Sequence, residues 1–162
     1  MNTIVEIKIA ELFVGDSSHV IITNGVGSCV IIVLYDRLAH IGGMAHAILP
    51  RTRNIKTPVF PKDAAGKIFV KFADTAVDTL LEEVIAEGGT KEHLVAKLIG
   101  GAHMFSLLEG DKFGIGFENT ESARERLAFH GVPIETEVVG GTVGRNVHFD
   151  CGTGIVEITT KV

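Results

Sequence analysis

Cys29, His46 and Thr23 are the residues whose types and spacing could support covalent chemistry. A thiol becomes a good nucleophile when a base takes its proton, and a histidine base works best when a third group fixes which ring nitrogen carries hydrogen. Thr23 and Cys29 flank the stretch Asn24-Gly25-Val26-Gly27-Ser28, and His46 closes the segment Gly42-Gly43-Met44-Ala45-His46. Such a set suits acyl transfer, in which the thiolate attacks a carbonyl carbon and backbone N–H groups hold the resulting oxyanion. The donors expected here are the N–H groups near Ser28 and Cys29, which the flanking Gly27 leaves sterically open. The residues alone equally fit a second reading, with Cys29 a small buried hydrophobe at the start of a core strand and His46 a satisfied core histidine.

The surrounding segments must bring these side chains together. Cys29 to Tyr35 is an almost continuous apolar run rich in β-branched residues, which reads as a strand buried on both faces, and Ile41 to Leu49 reads as the next strand. A two-residue turn at Arg37-Leu38 would pair Asp36 with Ala39 and, following both strands back, Cys29 with His46. Directly opposed side chains lie about 4.5–5.5 Å apart at Cβ, within reach of a thiol–imidazole contact. The same construction across residues 24–28 pairs Thr23 with Cys29, from where the Thr23 hydroxyl could accept from the imidazole and fix its tautomer.

The rest of the chain alternates strand and helix patterns. Thr3 to Ala10 has the two-residue period of a half-buried strand and His19 to Thr23 is a second, so four strands open the chain. Residues 51–62, with Pro58 and Pro61, read as a surface loop. Phe69, Phe72, Ala76, Leu80 and Val84 recur at helical spacing, predicting a helix from Ile68 to Glu87 that stops at Gly88-Gly89. Leu94 to Ile99 is a strand. Asn119 or Thr120 is expected to cap a second helix that runs through Phe129 and stops at Gly131. Ile134 to Val139, Arg145 to Asp150 and Gly154 to Thr160 close the chain as strands, the last two joined by a turn at Asp150-Cys151-Gly152-Thr153. Strands in runs with two separated helices predict an α+β fold, a mixed, sandwich-like β-sheet core flanked by helices, rather than a doubly wound parallel sheet. One domain, residues 1–162, is expected.

Composition narrows the function classes. Apolar residues make up 46% and charged residues 22%, the balance of an ordinary globular chain, and the net charge of −5 carries no basic stripe for nucleic acid. The longest apolar run is far shorter than a membrane span and the start lacks a signal-peptide pattern, so a cytoplasmic protein with both Cys29 and Cys151 as free thiols is expected. His148 and Cys151 approach a ligand spacing but no CxxC or HExxH occurs, and no glycine pair forms a phosphate-binding loop, so no metal and no cofactor are expected. Arg145 reads as a solvated strand residue.

The segments just quoted resemble a known family. Thr23 followed by Gly27-Ser28-Cys29, the strand ending Leu34-Tyr35-Asp36, and Gly42-Gly43-Met44-Ala45-His46 with Leu49-Pro50 are similar to the pattern of CheD, the glutamine deamidases of chemotaxis systems. Asp74-Thr75-Ala76, Gly100-Gly101-Ala102 with Met104-Phe105, and Gly140-Gly141-Thr142 with Gly144-Arg145 and Val147 to Asp150 extend the likeness over almost the whole chain. It departs from the usual residues at Asn24, Val26, His103 and Cys151, none of them in the triad. The resemblance implies Cys29, His46 and Thr23 as catalytic residues, conversion of chemoreceptor glutamines to glutamate with release of ammonia, and a fold shared with the deamidase domain of cytotoxic necrotising toxins. It also implies association with the CheC phosphatase. Two alternatives remain open on sequence: a mainly regulatory partner that stimulates CheC, and a receptor methylesterase.

Overall fold

A computed structural model describes residues 2–52, 61–104 and 114–160. Among these residues ten strands and two helices follow in the order β1 (Thr3–Glu6), β2 (Glu11–Gly15), β3 (His19–Val26), β4 (Val30–Asp36), β5 (Ile41–Ala47), β6 (Ile68–Phe69), α1 (Ala73–Ala86), β7 (Leu94–Gly100), α2 (Ile115–His130), β8 (Ile134–Val139), β9 (Arg145–Asp150) and β10 (Val156–Thr160). The strands form two mixed sheets, one ordered β1-β3-β9-β10 and the other β6-β2-β5-β4-β7-β8. The architecture is α+β, as the strand and helix patterns imply. Most of the 51–62 loop lies outside the described residues.

Every residue of β4 is buried, because the six-stranded sheet is the middle of three layers. Successive side chains on a strand point to opposite faces. Val30, Ile32 and Leu34 therefore pack under the helices with Ala76, Leu80, Val84, Ala123 and Leu127. Ile31, Val33 and Tyr35 pack against the four-stranded sheet with Ile21, Val147 and Phe149. The second of these interfaces holds the candidate site.

Several boundaries differ from the sequence expectation. The alternation from Thr3 to Ala10 holds only as far as the buried Ile7: the backbone leaves the strand after Glu6, turns through residues 8–11, and passes Ala10 at φ 66, which leaves Ile9 exposed and Ala10 buried. That turn transfers the chain from one sheet to the other, so five strands rather than four open it. The first helix starts at Ala73, not Ile68, because Ile68 and Phe69 pair with Leu12 and Glu11 as an edge strand. The second helix starts at Ile115, a full turn before the expected cap, and Asn119 and Thr120 are buried inside it. Both helices stop where expected, at Glu87 before Gly88-Gly89 and at Gly131, whose N–H bonds to the Ala128 and Leu127 carbonyls.

The largest correction concerns register. β4 and β5 pair Asp36 with Ile41 and Ile31 with His46, so Cys29 does not face His46 directly. The connection is four residues long because the buried Asp36 carboxylate organises it: Oδ1 accepts from the Leu38 and Ala39 N–H groups at 2.9 and 3.0 Å, and Oδ2 accepts from the Thr90 N–H at 2.8 Å. A shift of two residues keeps every side chain on its face. His46 therefore still shares a face with Ile31, in the cluster that contains Cys29. The expected Thr23–Cys29 pairing is also absent: β3 pairs with β1 and β9, whereas Cys29 leads into β4 of the other sheet.

Candidate active site

Thr23 sits on β3 opposite Val147, just before a bulge in which Asn24 and Gly25 together face Asn146. Gly25 adopts φ 68, a left-handed conformation suited to glycine, and its N–H bonds Asn146 Oδ1 at 3.0 Å. The extra residue lets Thr23 and Val26, three apart, both point inward, and both are buried. Thr23 thus reaches across the gap between the sheets to His46 on β5.

The Thr23 hydroxyl lies 2.8 Å from the Ile7 carbonyl oxygen and 2.8 Å from His46 Nδ1. Its single proton goes to the carbonyl, which can only accept, so Thr23 accepts from His46 Nδ1–H. That fixes the tautomer: Nε2 carries the free lone pair. His46 is 1% exposed, and its Nε2 is buried with no hydrogen-bond partner among the described residues. Burial lowers the His46 pKa to about 4, so the ring is a neutral base near pH 7. The contact expected between Thr23 and the imidazole is present, made across the sheets rather than along a hairpin.

Cys29 occupies a bend immediately before β4 and is 7% exposed. Relative to His46 it holds the diagonal position, where Cα atoms in a regular ladder lie roughly 7–8 Å apart. Burial pushes its thiol pKa up, with its own backbone N–H acting in the opposite sense. Thiol and imidazole are therefore both neutral at rest, and the arrangement suits proton transfer during attack rather than a standing ion pair. Cys151 differs. It is fully buried in the β9–β10 turn, its Sγ directed at the Gly42 carbonyl, and burial first, then Asp150 and Asp16, raises it to about 12. Both cysteines are free thiols.

The three carbonyls of the Gly27-Ser28-Cys29 segment are all engaged. Gly27 accepts from the Ala102 N–H at 3.0 Å and Cys29 from the Gly101 N–H at 2.8 Å. Ser28 accepts from the Asn119 side chain at 2.9 Å. Backbone approaches so closely that a Cβ on Gly100, which has φ +109, would collide with the Cys29 carbonyl oxygen. Gly27 is less open than expected, since the Met104 side chain lies over it at 3.2 Å from where a Cβ would stand. Arg145, expected in solvent, is instead 7% exposed and donates to the Gly100 and Gly140 carbonyls at 3.0 and 2.9 Å.

Beside Ser28 opens a cavity of about 310 Å³, bordered by Gly101, Met104, Ile115, Phe117 and Gly140. Met104, Ile115 and Phe117 each remain at least 40% exposed at its rim. Among the described residues no three His, Cys, Asp or Glu side chains gather as a metal site, and none of the helices is long and apolar enough to cross a membrane. Asn119 is the residue that sequence reasoning missed. An Asn-Thr pair reads as a helix cap, and the signal against it was the small residue Gly116 one turn earlier, in phase with Asn119, Ala123 and Leu127 on the buried face.

A family model described as CheD chemotactic sensory transduction matches residues 58–160, more than half of the chain. The chain belongs to the CheD family. A relative in Geobacillus kaustophilus named probable chemoreceptor glutamine deamidase CheD is 43% identical over 158 residues, 96% of this chain and 92% of its own length. The chemoreceptor glutamine deamidase CheD of Halalkalibacterium halodurans is 39% identical over 161 residues, 99% of this chain and 95% of its own. Among solved structures, Bacillus licheniformis hypothetical protein YfiH aligns over 79% of this chain and 49% of its own at 15% identity and TM-score 0.45, too distant to argue from. The likeness to the toxin deamidase domain rests on the sequence resemblance alone. The residues that resemble the CheD triad are thus Thr23 and His46, hydrogen-bonded across two sheets, and Cys29 on the same face as His46.

Proposed function

We propose that this CheD-family protein is a chemoreceptor glutamine deamidase with Cys29 as nucleophile, His46 as general base and acid, and Thr23 as the residue that orients His46. The observation that carries the reading is a buried imidazole whose Nδ1–H is committed to Thr23 and whose Nε2, free of partners among the described residues, shares a face with a cysteine. The names of the relatives supply the substrate.

His46 Nε2 takes the Cys29 proton as Sγ bonds to the side-chain carbonyl carbon of a glutamine, and the C=O π pair moves onto oxygen. N–H groups at Ser28 and Cys29 stabilise that oxyanion. As the C=O re-forms, the C–N bond breaks and His46 returns the proton to nitrogen, releasing ammonia and leaving a thioester. A water that gives its proton to Nε2 then attacks the thioester, the C–S bond breaks, sulfur regains the proton, and glutamate departs. No metal or cofactor enters any step.

The apolar rim of Met104, Ile115 and Phe117 suits a helix presented beside Ser28; in this reading the helix is one of a chemoreceptor's cytoplasmic helices and the protein acts in the cytoplasm. The same rim could receive a CheC-type phosphatase as regulatory partner. Methylester hydrolysis would use the same thioester with methanol as leaving group. Incubating the cognate receptor fragment with the protein should release ammonia and change the mass of a glutamine peptide by the difference between NH2 and OH. Cys29→Ala should do neither while remaining folded; deamidation by that variant would overturn the reading.

A further inference from the structure

Asn119 is a fully buried polar residue of α2 that the reaction scheme leaves unused. Its Nδ2 donates to two carbonyls far apart in sequence, Ser28 at 2.9 Å and Ile48 at 3.1 Å. Ser28 precedes Cys29, and Ile48 stands two residues beyond His46 on the continuation of β5. The amide orientation follows from these partners, because the reverse would set its oxygen against two carbonyl oxygens. Asn119 Oδ1 is correspondingly buried with no partner among the described residues.

The geometry of the peptide bond gives this contact a consequence. All described peptide bonds are trans, and in a trans peptide the C=O and the following N–H point in opposite directions. Holding the Ser28 carbonyl toward α2 therefore turns the Cys29 N–H away from α2. One side chain thus fixes the orientation of the peptide that carries the nucleophile and ties it to the strand that carries the base.

We propose that Asn119 is a positioning residue for the reaction: by bridging the Ser28 and Ile48 carbonyls it sets the Cys29 segment against His46 and aims the Cys29 N–H as an oxyanion donor. This rests on reading Cys29 and His46 as nucleophile and base. α2 is then part of the catalytic scaffold as well as a cover for the sheet. The neighbouring Thr120 hydroxyl, by contrast, donates to the Gly116 carbonyl within the same helix and bridges nothing.

Alkylation of Cys29 by iodoacetamide at pH 7, followed by intact-protein and peptide mass spectrometry, tests the positioning. Only molecules whose Cys151 is unmodified are counted, so any unfolded fraction of a variant drops out. Asn119→Leu, close in size but without donors, and Asn119→Ala should each slow Cys29 alkylation about tenfold, the effect of losing one or two buried hydrogen bonds. In a His46→Ala background the same substitutions should have less than about a twofold effect, because the contact they disturb is already gone. On receptor substrate, kcat should fall about tenfold with KM unchanged. An equal slowing in both backgrounds, or none in either variant, overturns the inference. If His46→Ala itself leaves alkylation unchanged, the base assignment fails first.

Discussion

Thr23 and His46 lie in different sheets, yet the Thr23 hydroxyl stands 2.8 Å from His46 Nδ1 while also donating to Ile7. The bond is therefore a product of sheet packing. Thr23→Val keeps the shape but removes the acceptor, leaving Nδ1–H and the Ile7 carbonyl without it. An unsatisfied buried partner costs about 1–3 kcal/mol, which predicts kcat lower by about 5- to 150-fold. Thr23→Ser should recover most of the loss. Deamidation kinetics on a receptor fragment check this, and a Thr23→Val enzyme as fast as wild type would remove Thr23 from the mechanism.

The His46 ring gives a pH signature. Its pKa is lowered by burial from 6.5 to about 4, so between those values the unfolded chain binds the proton and the folded one does not. Stability from this group is complete above about pH 6.5, is lost as pH falls toward 4, and is constant below. The span corresponds to something on the order of 3 kcal/mol, most of it lost by pH 4.5. Urea unfolding between pH 7.5 and 4.5 should show that loss in wild type and a smaller one in His46→Gln. For the same reason the acid limb of kcat/KM should lie well below pH 6.5.

How much of this was readable in sequence depended on whether local or distant groups decided it. The burial of β4 on both faces and the stops of both helices follow from hydrophobic period and glycine position, and all appear as expected. The β4–β5 register does not, because the turn length is set by a carboxylate that also binds Thr90, 54 positions away. A two-residue shift preserves the face, so Cys29 and His46 still share one face although they are not directly opposed. Asn119 was misread since its partners, Ser28 and Ile48, are 91 and 71 positions distant. The choice of glutamine as substrate comes from the family pattern and the relatives, not from any local residue.

The two thiols should differ sharply in reactivity. With a pKa of about 12, only about one Cys151 thiol in 10⁴ is ionised at pH 8, and the side chain is fully buried. Cys29 follows Ser28, which borders the cavity, and shares a face with His46. Native-state alkylation should modify Cys29 alone, and denaturation should make both react at comparable rates. Labelling of Cys151 in folded protein at a rate similar to Cys29 would show that burial does not protect it.

Gly100 couples the backbone of β7 to Cys29, the proposed nucleophile. Its φ of +109 is a conformation that side chains rarely adopt, and an added Cβ would meet both the Cys29 carbonyl and Val26 Cγ1. Gly131 offers a control, with φ +72 but nothing within 4 Å of an added Cβ. Gly131→Ala should cost only the left-handed penalty, about 1–2 kcal/mol. Gly100→Ala adds a steric clash with backbone that cannot move without shifting Cys29, and should cost at least about 3 kcal/mol. Thermal unfolding gives the comparison. The Gly100 variant should also alkylate Cys29 more slowly in its folded fraction, whereas Gly131→Ala should not, since only the first displaces the peptide that carries the thiol.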